Sequence, residues 1–185
     1  FTARNKKGYE VQQLKDLNKL NGKLYINGLG NVKSKEEALE ANLPAKERLT
    51  FLSLSWGDGD GDPRCSPEVE AEVLEGLCPP VGLEKLRIWN YGGSRYPNWM
   101  VGKQNGGPKD LQELFFYEWS QLAPAPDLEA FIHLRSLRLF HCSWEALPGN
   151  MERLLSLKRL DIYNCLNIRS LPILPQSAKP TLPTI

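Results

Sequence analysis

A chain of 185 residues, 41% hydrophobic and 24% charged, is sized for one ordinary domain with a sizeable core. Its formal net charge of +1 gives no general reason to expect nucleic acid, and no apolar run approaches the roughly 20 residues that span a bilayer. Four cysteines (Cys65, Cys78, Cys142, Cys165) are too few and too irregular for a disulfide scaffold, and no Asn-x-Ser/Thr acceptor occurs, which leans towards a reducing, intracellular setting.

The chain opens on Phe1 rather than Met, without a signal-peptide pattern, and reads as a segment of something longer. Residues 1–16 form a lead-in. Over residues 17–175 a short phrase returns six times, strictly or with one place changed: a leucine, two others, a leucine, one other, and a leucine or isoleucine. Its clearest copies are Leu83-Glu-Lys-Leu86-Arg-Ile88, Leu134-Arg-Ser-Leu137-Arg-Leu139 and Leu157-Lys-Arg-Leu160-Asp-Ile162. The middle leucines are Leu24, Leu52, Leu86, Leu114, Leu137 and Leu160, spaced by 28, 34, 28, 23 and 23 residues. Periods of about 20–29 residues with this phrase specify an α/β leucine-rich-repeat solenoid, and the 34-residue interval implies an insertion. About six repeats should form a curved parallel sheet, with short helices and irregular loops on the convex side.

Two crossings read as helices. Ser34-Lys-Glu-Glu37 is a capping box that predicts a helix over 35–43. Ser66 followed by Pro67 predicts a second, with Val69, Val73 and Leu77 as its buried face. Residues 56–63 and 102–109 read as surface loops, the later crossings as irregular segments or single 3₁₀ turns, and 176–185 as an extended tail. Neither end resembles a purpose-built cap, so the isolated segment should expose apolar end surface and associate.

From Trp56 to Glu75 seven acids face Arg64 alone, a net of −6. Asp58-x-Asp60-x-Asp62 imitates the start of a calcium loop, but Pro63 and Val69 stand where glycine and a bidentate glutamate are required. A solvated insertion is the preferred reading, with contact to a basic partner domain as an alternative. His141, Cys142 and Cys165 lack zinc spacing; the two cysteines suit the inward turn position of a repeat instead. No catalytic set is found, and His133 reads as surface. Neither an enzyme nor a metal protein is expected.

Certain phrases go beyond a generic repeat. Leu20-Asn-Gly-Lys-Leu24-Tyr-Ile26-Asn-Gly-Leu29-Gly-Asn-Val32, Glu37-Ala38, Ala41-Asn42-Leu43 and Leu52-Ser-Leu54-Ser-Trp56 resemble the early repeats of plant coiled-coil nucleotide-binding leucine-rich-repeat disease-resistance proteins. So does Tyr91-Gly-Gly-Ser-Arg-Tyr96-Pro97-Asn-Trp99-Met100. The resemblance covers roughly residues 14–172. It implies an intracellular immune receptor, cytoplasmic and in the parent also nuclear. The repeats of such a receptor restrain a nucleotide-binding switch and sense pathogen effectors or guarded host proteins. No Gly-x-x-x-x-Gly-Lys-Ser/Thr loop occurs in this chain, so no cofactor is expected in it, and the ADP/ATP chemistry that the resemblance implies belongs upstream of Phe1.

Aligned on their anchors, the six strands give three outward rows. The first is Lys23, Phe51, Lys85, Glu113, Ser136, Arg159; the middle is Tyr25, Ser53, Arg87, Phe115, Arg138, Asp161; the third is Asn27, Ser55, Trp89, Tyr117, Phe140, Tyr163. Four consecutive aromatics in the third row should form a ridge roughly 15 Å long, at about 4.8 Å per strand, with Arg87 and Arg138 beside it. Tyr91 and Trp99 belong to the core. The candidate partner-binding residues are Tyr25, Arg87, Trp89, Phe115, Tyr117, Arg138, Phe140 and Tyr163, since exposed aromatics with arginine make up binding hot spots. Cross-strand packing of the rings on one another is the structural alternative. The expected partners are proteins, with neither nucleic acid nor membrane. A substrate-binding repeat domain of a ubiquitin-ligase adaptor, or a scaffold, explains the solenoid equally well, but not the Tyr91–Trp99 phrase.

Overall fold

In the computed structural model, which describes residues 1–185 apart from 5–7, 9, 58–64, 103–105, 120–123 and 182–185, each leucine phrase is a short strand. The strands are β1 (Gly22–Ile26), β2 (Leu49–Ser55), β3 (Lys85–Trp89), β4 (Glu113–Tyr117), β5 (Ser136–Phe140), β6 (Arg159–Tyr163) and β7 (Lys179–Thr181). They lie in sequence order in one parallel sheet, and the six anchor leucines pair each with the next. Parallel neighbours need a crossover between them, and here every crossover packs on the same face. The anchors and the residues two beyond them are buried, from Leu24 and Ile26 to Leu160 and Ile162. Each fully buried leucine contributes about 1.5–3 kcal/mol, so the inward columns supply most of the cohesion between repeats.

Four residues beyond an anchor the chain leaves the sheet. Gly28, Asn90, Glu118, His141 and Asn164 hold this place with φ of 70°, 57°, 53°, 54° and 52°. Glycine and asparagine adopt that left-handed conformation readily, whereas Glu118 and His141 do so at a cost of about 1–2 kcal/mol each. The sheet ladder offsets it: the N–H groups of Asn90, Glu118 and His141 donate to the carbonyls of Tyr117, Phe140 and Tyr163 at 2.8, 2.9 and 3.0 Å. Gly28 is required twice over, because a Cβ there would also overlap the carbonyl oxygen of Ala3.

That contact belongs to the lead-in. Expected bare, the first edge of the sheet is covered. The Phe1 amine donates to Tyr25 O (2.8 Å), Ala3 N to Asn27 O (2.8 Å) and Asn27 N to Phe1 O (2.9 Å). Val11 and Leu14 are buried in a 3₁₀ turn at Val11–Leu14, and the fully buried Lys46 donates from Nζ to Leu14 O at 2.6 Å. Burial holds the Lys46 ammonium below its ordinary pKa. At the other edge the tail is more than an extended end. Its residues 179–181 form β7, with Lys179 opposite Arg159 and Thr181 opposite Asp161. Pro180 stands opposite Leu160, where an anchor leucine would be, so the repeat phrase cannot reveal this strand. Leu155, Leu166 and Ile173 are exposed near this edge.

The first helix, α1 (Lys35–Leu39), begins as expected: Glu37 N donates to Ser34 Oγ at 3.2 Å, while Lys33 N donates to Glu37 Oε2 at 2.9 Å. It ends before residue 43 because Asn42 turns left-handed and Pro44 follows within the 3₁₀ turn Leu43–Ala45. Helix α2 (Pro67–Gly76) buries Val73 and then Leu77 at its end, but Val69 is only half-buried; Glu70, Ala71 and Leu74 are buried as well. The wider buried arc has a cause in the Tyr91–Trp99 phrase, which clasps α2. Gly92 N donates to Glu70 Oε2 (2.7 Å), Ser94 N to Pro67 O (2.9 Å), Asn98 N to Glu75 Oε2 (2.7 Å) and Trp99 Nε1 to Leu74 O (3.0 Å). Trp99 lies in a short helix, α3 (Asn98–Val101). Tyr91 is sealed in the core between Trp56 (5.1 Å between centroids) and Trp119 (4.7 Å), and its hydroxyl donates to Arg95 O at 2.6 Å.

Three outcomes follow from this packing. A Cβ on Gly93 would overlap the confined Tyr91 ring, so Gly93→Ala should destabilise by about 1–3 kcal/mol, read as a lower denaturation midpoint. Burial raises the Tyr91 and Tyr96 phenols above their ordinary value, with Glu70 adding to the shift at Tyr91. A raised folded pKa gives stability that is full below the unfolded pKa of about 10 and is lost as pH rises beyond it. Thermal melts should therefore fall steeply above about pH 10, and Tyr91→Phe with Tyr96→Phe should flatten that fall. Finally, light scattering should show association of the isolated chain that Leu166→Glu and Ile173→Glu reduce; a clean monomer at high concentration would contradict it.

Candidate protein-binding face

The crossovers cover one side of the sheet, so the outward residues of β1 to β6 share the other. The pairing register sets Lys23, Phe51, Lys85, Glu113, Ser136 and Arg159 in one row and Tyr25, Ser53, Arg87, Phe115, Arg138 and Asp161 in the next. Ser55, Trp89, Tyr117, Phe140 and Tyr163 make the third. A period of two leaves no other choice once the leucines are inside. All eight candidate residues stand on this face. Arg87, Trp89, Phe115, Tyr117, Arg138 and Phe140 are half-buried, while Tyr25 and Tyr163 are 47% and 53% exposed.

The rings do not follow one another in a single file. Phe115, from the middle row, lies between Trp89 (4.9 Å) and Phe140 (5.2 Å), and Trp89 also meets Tyr117 at 4.9 Å. Phe140 meets Tyr163 at 5.5 Å, and His141 lies between Tyr117 (5.4 Å) and Tyr163 (6.5 Å). The result is a knitted aromatic patch two rows wide. His141 was missed because its left-handed turn, which swings the ring back towards the face, is not encoded in strand alternation. Tyr25 stands apart from the patch and packs on Phe51 (5.1 Å), which is only 6% exposed although it points outward.

Charges on the face are mostly cancelled. Lys85 Nζ lies 2.9 Å from Glu113 Oε1. Arg138 does not stand beside the patch as a free cation: its Nε is 3.2 Å from Asp161 Oδ2, which also accepts from Arg159 Nε at 2.7 Å. The Arg138 contact is off the line of a hydrogen bond, and Asp161 Oδ1 is buried without a partner among the described residues. Arg87 differs. Its guanidinium sits 5.2 Å from the Phe51 ring centroid and 5.8 Å from that of Phe115, and among the described residues no carboxylate pairs with it. Cation–π contacts of this kind hold an arginine in place without neutralising it.

The remaining candidates fall into structural roles. Cys142 and Cys165 are buried at successive turns: Cys142 N donates to Cys165 Sγ at 3.4 Å, and the Cys142 thiol faces Phe140 O at 3.6 Å. The neighbouring Cys165 thiol, together with burial, keeps Cys142 protonated well above the usual thiol range. Among the described residues no group of three or more His, Cys, Asp or Glu could hold a metal ion, and no helix is long and apolar enough to cross a membrane. The calcium-like run Asp58–Asp62 lies outside the described residues.

Residues 11–142 match the family model of R13L1/DRL21 leucine-rich repeats. RGA4 of Solanum bulbocastanum, named as a disease resistance protein, is 45% identical over 100 residues, covering 54% of this chain and 10% of that protein. RGA1 of the same plant, named likewise, is 35% identical over 175 residues, 92% of this chain and 17% of its own length. An RPP13-like disease resistance protein of Arabidopsis thaliana is 37% identical over 98 residues, 50% of this chain and 9% of its own. The chain thus spans at most 17% of these three relatives. A solved leucine-rich repeat domain, that of the type III effector XCV3220 (XopL), is 19% identical with a TM-score of 0.38, over 91% of this chain and 70% of that one; the fold assignment rests on the sheet itself. With its anchored parallel sheet, its Tyr91–Trp99 clasp and a family match over most of its length, this chain belongs to the R13L1/DRL21 leucine-rich repeats.

Proposed function

We propose that this chain is the protein-recognition and autoinhibitory module of an intracellular plant immune receptor. Its open sheet face binds the receptor's own nucleotide-binding domain in the resting state, and a pathogen effector or guarded host protein displaces that balance. The module works by differential binding rather than catalysis: a partner shifts the switch only as far as it prefers one state of the receptor. ADP or ATP is bound on a separate domain of the parent, and the setting is cytoplasmic. The observation that carries this reading is the patch of Trp89, Phe115, Tyr117, Phe140 and Tyr163, which the fold leaves partly uncovered although its rings contact one another. Large half-exposed rings flanked by arginine supply hot-spot contacts, where one truncation removes about 2 kcal/mol or more of binding. The relatives named as disease resistance proteins favour an immune receptor over a ubiquitin-ligase adaptor.

The test is co-precipitation of the chain with the nucleotide-binding region of the same receptor, expressed as separate polypeptides. Trp89→Ala with Tyr117→Ala should weaken capture at least tenfold while circular dichroism and the melting midpoint stay close to wild type. Normal capture by the double variant would remove the patch from the interface.

A further inference from the structure

At one place the face is indented rather than ridged. Towards the end of β2 the outward side chains are Ser53 and Ser55, both buried, between Tyr25 and Asn27 on the β1 side and Arg87 and Trp89 on the β3 side. Walls two strands apart stand about 10 Å from each other. The serines therefore floor a notch of about 280 Å³ that opens on the sheet face. This is just below the range of small-molecule pockets, so it suits an inserted side chain rather than a cofactor.

Its chemistry is one-sided. Trp89 Nε1 donates to Ser53 Oγ at 3.1 Å, which turns the Ser53 hydroxyl proton towards other acceptors. Arg87 is held over Phe51 and Phe115 with no carboxylate partner among the described residues, while Lys85, Arg138 and Arg159 are each committed to one. A clamped guanidinium above two serine hydroxyls presents donors and positive charge to an anion of side-chain size. Such charge-assisted bonds are stronger than neutral ones, and a pre-positioned arginine loses little freedom in forming them.

We propose that this notch receives an aspartate or glutamate carboxylate from an acidic segment of a protein partner, with Arg87 as its counter-ion and Ser53 and Ser55 as donors. This rests on the reading of the face as a protein-binding surface and adds the chemical class that the surface selects. The aromatic patch supplies contact area, and the notch beside it supplies selection for acid.

The experiment is an NMR titration of the ¹⁵N-labelled chain with acetyl-Gly-Glu-Gly-amide, reading the Trp89 indole N–H signal beside the notch. The glutamate peptide should give a saturable shift that weakens with salt, and the matching glutamine peptide should give none. Arg87→Gln should weaken the glutamate titration at least tenfold. Ser55→Leu, which fills the notch from its floor and leaves the leucine columns and Arg87 in place, should do the same. No saturation by the glutamate peptide, equal saturation by both peptides, or an unchanged titration in Arg87→Gln overturns the notch. Tighter saturation by inorganic phosphate than by the glutamate peptide also overturns it, in favour of a phosphate site. Capture by Tyr117→Ala with Phe140→Ala, neither of which lines the notch, tests the face by itself, so failure of the notch and failure of the face are told apart.

Discussion

The pairing of one inward leucine with the next governs the rest of this structure. Six anchors lie in register across six parallel strands, and each is removed from water by its neighbours and by the crossovers beneath. A slip of one residue in any strand would put its leucines in solvent and its charges in the core. Everything on the open face inherits its place from that requirement. Trp89, Tyr117, Phe140 and Tyr163 are adjacent because Leu86, Leu114, Leu137 and Leu160 are. The face can change its residues without disturbing the columns behind it, which lets one scaffold carry different recognition surfaces.

The long interval between Leu52 and Leu86 tests that arrangement. An insertion of this length could detach two repeats from each other. Instead α2 lies across it, and the Tyr91–Trp99 phrase of the following repeat grips the helix through main-chain and side-chain bonds. Glu70 is the notable member: a carboxylate brought out of water is tolerated because it accepts from Gly92 N. Residues of the Tyr91–Met100 phrase, one of those that carry the family resemblance, thus hold the insertion against the solenoid. Their part is architectural, which is why a resemblance can identify the family without locating the binding site.

Strand positions, outward rows and the starts of α1 and α2 were legible because each depends on a local period or cap. What escaped depended on contacts between distant segments. Helix α1 stops early through the left-handed Asn42, which no periodicity marks. Val69 yields burial to Glu70 because the loop at Gly92, 22 residues beyond Glu70, covers that side of α2. β7 carries Pro180 at its anchor place, so its only evidence is pairing with β6. The lead-in covers the first edge by a few main-chain bonds between residues 1–3 and β1, with no capping motif to announce them. On the face, row membership could be read directly, but the partner of each charge could not: Arg87 and Arg138 occupy equivalent places, and only Arg138 faces an aspartate on the next strand.

That last contrast bears on how the face divides its tasks. From β4 to β6 the charges close on one another and the exposed material is aromatic, so this half offers area and few demands on a partner's sequence. Over β2 and β3 the order is reversed. The floor is hydroxyl, the wall carries a cation fixed by two rings, and little apolar area is available. Apolar contact supplies affinity with weak discrimination, whereas a fixed charge penalises any partner that buries it without an anion. The two halves share Trp89, whose ring belongs to the patch and whose indole N–H belongs to the notch. A partner that covers the patch must also pass over Arg87, so on this face affinity and selection are coupled through adjacent residues of a single strand.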